Sequence, residues 1–286
     1  MPTTTEDLKA LLSALGESSA AEMHLKVPAP PLIRQGGALR ALRTTPLTPD
    51  DIRDLTLAML GCAHLELPLA TVQHREFSFG MPGLGRFHAT LYRQRGSLAL
   101  SIRQIATTVP QLDSLGVSQD VMDLLCAPGV GLVCGQARQA LLNSIVDAFN
   151  RSRGGLVVVL QDPLTHLHRD NLATIAQRGV GTDVDSLEAG IRQAIRQRAD
   201  VIAVGGIPNE ATAEAILCAA EEGIAVLASI AAPDVNEAAA WMLRLFQTEH
   251  LSDAKTRLKR LVRGVACARG DGTGRYAARR SGTRAA

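Results

Sequence analysis

Four short apolar runs constrain this chain more than any other feature: residues 130–134, 155–160, 200–204 and 223–229. None of them alternates polar with apolar positions. Helical patterns separate them, over residues 139–150, 187–198 and 209–222. A strand that is apolar at nearly every position is buried on both faces, and helical crossovers between such strands require a parallel sheet. The second half of the chain is therefore expected to be an α/β domain. Only 3% of residues are aromatic, so its core has to be aliphatic.

The first part reads differently. Residues 4–15 carry Leu8, Leu11, Leu12 and Leu15 at helical spacing, with Glu6 and Asp7 near the start. The prolines at 28, 30 and 31 break the chain before a short strand at Leu32-Ile33-Arg34. Thr48-Pro49-Asp50-Asp51 supplies an N-cap and a proline for the first turn of a helix that runs to about Leu60. Residues 77–105 alternate as a β-meander around a glycine-rich turn. These patterns make residues 1–108 a small α+β domain, residues 109–264 the α/β core and residues 265–286 a basic, disordered tail.

Five cysteines without a C-x-x-C pair argue for reduced, buried thiols rather than a disulfide framework or a zinc site, and place the chain in the cytoplasm. No run approaches the roughly 18 apolar residues of a membrane span. From Asp253 onward, ten Lys/Arg stand against two Asp, a net of +8; the overall +2 leaves −6 for the rest. No aromatic platform accompanies the basic end, so specific nucleic-acid binding is not expected.

Residues 131–142 lie where a buried strand passes into a helix. A phosphate-binding loop at such a junction reads G-x-x-x-x-G-K-[ST]: backbone N–H groups surround the phosphates, Lys reaches the outer ones and the hydroxyl holds Mg²⁺. Here Gly135 stands before Gln136-Ala137-Arg138-Gln139, with no Lys and no Ser or Thr at the required places.

Several stretches in order resemble the type IV pilus retraction ATPases, the PilT branch of the secretion ATPases. They are Glu22-Met23-His24-Leu25, Pro30-Pro31-Leu32-Ile33-Arg34, Phe77-Ser78-Phe79-Gly80, Pro82-Gly83-Leu84-Gly85-Arg86-Phe87 and Gln94-Arg95-Gly96-Ser97. Gln161-Asp162-Pro163-Leu164 and the strand ending at Val204-Gly205 follow. The resemblance implies a PAS-like N-terminal domain, a RecA-like P-loop NTPase core, a hexameric ring and attachment to the pilus machinery at the inner face of the membrane. It also implies that Arg86, Arg95 and Arg103 face a neighbouring subunit's nucleotide.

Set against that family, the loop of this chain is about three residues short. Arg138 falls where Lys belongs and Gln139 where Ser belongs. Gln161 and Thr165 replace the two glutamates around Asp162, Gly206 replaces the Walker B Glu, and Ile230-Ala231-Ala232 replaces the His box. Phosphoryl transfer depends on positioned charge, so the resemblance implies a catalytically inactive relative with no catalytic residue. Gly135, Arg138, Gln139 and Asp162 then form a degenerate site for ATP and Mg²⁺, which binds no cofactor or binds ATP weakly. The expected partner is an active paralogue in a mixed ring. Residual ATPase activity and a decayed paralogue are the alternatives. His166 and His168 are read as structural rather than metal ligands, and the family's helical C-terminal region has no match here.

Overall fold

The computed structural model describes residues 5–18, 20 and 22–268, and the backbone of residues 274–278. It divides into two compact units, Met1–Ile105 and Ala106–Ala286. The second begins three residues before the expected boundary. Ala106 bridges His166 and donates its N–H to the Thr165 carbonyl at 3.2 Å, so it is tied to the α/β unit.

The first unit contains α1 (Thr5–Glu17), β1 (Glu22–Leu25), β2 (Leu32–Gln35), β3 (Ala38–Ala41), α2 (Pro49–Ala63), β4 (His74–Met81), β5 (Gly85–Gln94) and β6 (Ser97–Gln104). Its antiparallel sheet has the order β3-β2-β1-β6-β5-β4. The sequence signal at Thr48 becomes a full capping box, in which its side chain and that of Asp51 each satisfy the other's backbone N–H. Leu8, Leu12 and Leu15 of α1 and Ile52, Leu55 and Met59 of α2 are buried in one cluster with Phe79 and Phe87 of the sheet.

The second unit contains α3 (Gln119–Leu125), β7 (Gly129–Cys134), α4 (Arg138–Ser152), β8 (Gly155–Gln161), β9 (Ala173–Gly179), α5 (Leu187–Arg196) and β10 (Val201–Val204). These are followed by α6 (Glu210–Glu221), β11 (Ala225–Ser229), α7 (Ala238–Leu243), α8 (Thr248–Leu261), β12 (Val262–Ala268) and β13 (Gly274–Ala278). The sheet order is β13-β12-β7-β11-β10-β8-β9. It is parallel except for β13, which pairs antiparallel with β12 at one edge. All four predicted apolar runs are strands of this sheet. Alternate residues of β7 enter different clusters: Val130, Leu132 and Cys134 pack with α5, α6 and α8, and Val133 packs with α3 and α4. Both faces are covered, as unalternated strands require.

The expected boundary at residue 264 is wrong. Strand β12 runs through it, and Val265, Ala266, Cys267 and Ala268 are buried. The backbone of residues 274–278 extends the sheet further, so part of the region expected to be a disordered tail belongs to the core. A chain placing its backbone beside β7 satisfies the N–H and C=O groups of that strand whatever charges flank it. Residues 269–273 and 279–286 lie outside the described residues.

Candidate functional site

Strand β7 passes into α4 through only three residues, Gly135, Gln136 and Ala137. The Gly135 N–H donates to the Ala232 carbonyl at 3.0 Å, and the Ala137 N–H to the Ala268 carbonyl at 3.2 Å. The Arg138 N–H turns back to the Gly135 carbonyl at 3.4 Å. Three N–H groups that would face an anion in an open loop are thus spent on the protein itself. Gly135 is buried at φ +91°, and a Cβ there would stand 2.3 Å from the Ala268 carbonyl oxygen and 2.8 Å from Cys267 Sγ. Strand β12 presses directly on the loop. Residue Ala137, which caps α4, has no side-chain oxygen to offer.

Behind the loop lies a network of neutral groups. Gln139 donates Nε2 to the Gly205 carbonyl at 2.6 Å, and its Oε1 accepts from Gln161 Nε2 at 3.3 Å. Gln161 is 1% exposed and accepts the Thr165 N–H on its own carbonyl oxygen at 3.3 Å. A Cβ on Gly205 would lie 2.8 Å from Gln161 Cγ, so only glycine lets that side chain cross β10. Asn143, fully buried, donates to Thr165 Oγ1 at 3.1 Å and to the Gln139 carbonyl at 2.8 Å. Its Oδ1 accepts from His168 Nε2 at 2.9 Å. His166 Nδ1 and the Thr165 hydroxyl are hydrogen-bonded at 3.2 Å. Gln177 joins from β9, taking the His168 N–H and donating to the His166 carbonyl.

Burial holds the imidazole of His168 neutral, pulling its pKa down to about 4 against a weaker opposite pull from Asp147. Burial lowers His166 as well. The network is therefore uncharged at neutral pH, and each amide in it has a partner, as buried polar groups require.

Asp162 and Arg138 border a cavity of about 370 Å³ at the C-terminal ends of the parallel strands, together with Gly205, Gly206 and Ser229. Of the four residues expected to form the site, the structure places Gly135 under β12, Gln139 in the amide network, and Arg138 and Asp162 on the cavity.

In the first unit, Arg103 lies opposite His88 on neighbouring strands, and Arg86 is two residues from His88 along β5. Arg86 and Arg103 therefore share the sheet face opposite to Phe87, Ala89 and Leu91. Arg86 is half-buried and Arg103 exposed. Arg95 sits in the turn at the other end of the hairpin, at φ 51°, about 30 Å along the strand from Arg86. The three do not form one cluster within the unit.

A family model described as type II/IV secretion system protein matches residues 129–281, more than half of the chain. The chain belongs to that family. Within it, this secretion-family protein is PilT-like. It is 25% identical over 280 residues to the type IV pilus ATPase PilU of Pseudomonas aeruginosa, covering 95% of this chain and 73% of that one. It is 24% identical to the type IV pilus retraction ATPase PilT of the same organism, covering 91% and 76%. The crystal structure of the pilus retraction motor PilT with bound ADP superimposes with a TM-score of 0.79 at 26% identity, covering 91% of this chain and 77% of that one. The fold class, an N-terminal domain before an ATPase-type α/β domain, agrees with that match. Among the described residues, no helix is long and apolar enough to cross a membrane.

Sequence reasoning finds Gln139 and Gln161 only as departures from a motif, and it does not find Asn143 or Gln177 at all. Nothing local marks them. The Gln139 amide meets its Gly205 acceptor across 66 residues of chain, and the pairing appears only when β10 is laid beside β8.

Proposed function

We propose that this chain is a non-hydrolysing relative of the pilus retraction motors, a structural or regulatory subunit that assembles with an active paralogue at the cytoplasmic face of the membrane. The observation that carries the reading is the state of the loop between β7 and α4. Its N–H groups at Gly135, Ala137 and Arg138 are bonded to protein carbonyls, and Gln139 reaches the Gly205 carbonyl at 2.6 Å. These residues do not fit Mg²⁺–ATP. Opening the loop around phosphates would break three backbone hydrogen bonds and lift β12 from Gly135. Among the described residues, no lysine lines the adjoining cavity to offset that cost. Arg138 does not substitute, because its planar fork cannot act as a compact ammonium inside a tight loop.

What remains is a fold that can fill a place in a ring. The sheet of the first unit keeps Arg86 and Arg103 on one face, and this pair supports a role beside a neighbour's nucleotide. The test combines two measurements on the full chain. Calorimetry with Mg²⁺–ATP should give no binding heat, and a phosphate-release assay should give no turnover. Mixing with an active PilT-type ATPase should change that enzyme's rate or its assembly, and Arg86→Ala with Arg103→Ala should cancel the change. Turnover by the chain alone refutes the reading, as does an active paralogue that is indifferent to its presence.

A further inference from the structure

Two cysteines far apart in the sequence are brought together by the fold. Strand β12 runs beside β7 in parallel, and its register sets Cys267 opposite Cys134. Both side chains enter the same buried cluster, so the two thiols lie on one face of the sheet. Neighbouring strands run roughly 4.7–4.9 Å apart, inside the Cα separation of about 4.4–6.8 Å that a disulfide spans. The other three cysteines are scattered. Cys126 packs in the cluster on the opposite face, Cys218 lies exposed against Glu214 and Arg257, and Cys62 belongs to the first unit.

The pair sits directly under the loop between β7 and α4, where a Cβ on Gly135 would stand 2.8 Å from Cys267 Sγ. Cys267 is 3% exposed, and its Sγ donates to the carbonyl of the exposed Pro233 at 3.6 Å, so one surface turn covers it. Cys134 is fully buried. Burial, with Cys267 and the Asp234 carboxylate adding to it, pushes the Cys134 thiol far above its ordinary range and keeps it protonated. Thiols held in this way are inert at rest, and they meet a solute only when the covering turn opens.

We propose that Cys134 and Cys267 are a reversible redox pair, which hydrogen peroxide closes into a disulfide that fastens β12 to β7 beneath the loop. With the turn at Pro233 open, the Cys267 thiolate attacks a peroxide oxygen; the O–O bond breaks, hydroxide leaves and a sulfenic acid forms. The Cys134 sulfur then attacks the Cys267 sulfur. The S–O bond breaks, and the departing hydroxide takes the Cys134 proton and leaves as water. In balance, two thiols lose two electrons and two protons, and one hydrogen peroxide becomes two waters. The cross-link removes freedom from the unfolded chain over a long loop. It also holds β12 against Gly135, so the oxidised chain has its loop fixed shut, whatever the loop admits when reduced.

The test is peroxide treatment of the full chain, alkylation of the remaining thiols, and peptide mapping without reductant. Two of the five thiols should disappear over minutes to hours. The tryptic peptide of residues 264–269 should appear joined to that of residues 104–138, and dithiothreitol should separate them. The longer peptide also carries Cys126. Cys126→Ala should therefore leave the link intact, whereas Cys134→Ala or Cys267→Ala should remove it. Oxidation should raise the urea midpoint, read through Trp241, by about 1–2 M, and dithiothreitol should reverse the shift. Mapping is done on the parent chain, so a variant that fails to fold does not obscure the result. Oxidation confined to Cys62 and Cys218 overturns the proposal, as does sulfinic acid at Cys267 without a link. A link that leaves the midpoint unraised also overturns it. Mg²⁺–ATP titration of the reduced chain reports separately on the non-hydrolysing reading.

Discussion

Gly135→Ala tests the packed loop most directly. The added methyl carbon would stand 2.3 Å from the Ala268 carbonyl and 2.8 Å from Cys267 Sγ, and the nearer atom is backbone, which cannot rotate away. Overpacking of this kind costs about 1–3 kcal/mol. The residue also sits at φ +91°, which adds about 1–2 kcal/mol for a residue with a Cβ. Together these give about 2–5 kcal/mol, a large part of the roughly 5–15 kcal/mol of a typical domain. Two controls separate the contributions. Gly181→Ala has φ +78° and open space, so it carries the strain alone; Gly206→Ala has neither, and should lie within about 0.5 kcal/mol of the parent. The assay is urea unfolding followed through Trp241, which reports on the second unit because it is the chain's only tryptophan. Equal slopes with denaturant would let the midpoints be compared. A Gly135→Ala cost no larger than that of Gly181→Ala would refute the reasoning: β12 would not then press on the loop, and room for phosphate would exist.

Asn143→Leu should destabilise the second unit by about 2–4 kcal/mol in the same assay, because it leaves the amide and imidazole partners of a fully buried residue unpaired. His168 has its folded pKa lowered to about 4 from 6.5. The unfolded chain therefore takes up the proton first, and stability should fall as pH drops from 6.5 towards 4; His168→Gln should flatten that window in melting curves. Glu221 is held below its ordinary value by hydrogen bonding to Arg257. Its contribution is present above pH 4.5 and is lost as pH falls through the lower folded value, a dependence that Arg257→Gln should reduce, with Arg260 sustaining the remainder. Thr48→Ala should cost the first unit about 1 kcal/mol through loss of its capping box, read by thermal melting.

Legibility in the sequence followed burial. Strands β7, β8, β10 and β11 are buried at nearly every position, so their apolar runs announce them. Strand β9 buries only Ala173 and carries Gln177 and Arg178 at the sheet edge, so it shows neither period. Strand β12 was hidden by its flanks: Arg263 and Arg269 bracket its apolar run, and the basic balance of the region suggested a tail. The cap at Thr48 is a four-residue signal and was readable. The cavity was not, because Leu187, Gly206, Ser229 and Trp241 belong to different elements and meet only after the sheet has formed.

Loss of the family's charges as a set, which the resemblance implies, would have a physical reason in this network. A lysine left behind β7 after the surrounding carboxylates had gone would be a buried, unpaired cation costing several kcal/mol, and a lone carboxylate would cost as much. Amides avoid both, since each carries a donor and an acceptor and can close on its neighbours. Gln139, Gln161, Asn143 and Thr165 do close, and each of the four has at least one partner within 3.3 Å. Beside them His168 Nδ1 is buried without a partner, and its imidazole is held neutral by that burial. Gln161→Glu tests the uncharged character of the region. It would return one negative charge to a 1% exposed position with no cation in the network to meet it. The variant should lose about 3–5 kcal/mol at pH 7 and recover as pH falls and the new carboxyl protonates. If Gln161→Glu were neutral at pH 7, the site would still hold a compensating cation, and the argument for an uncharged network would fail.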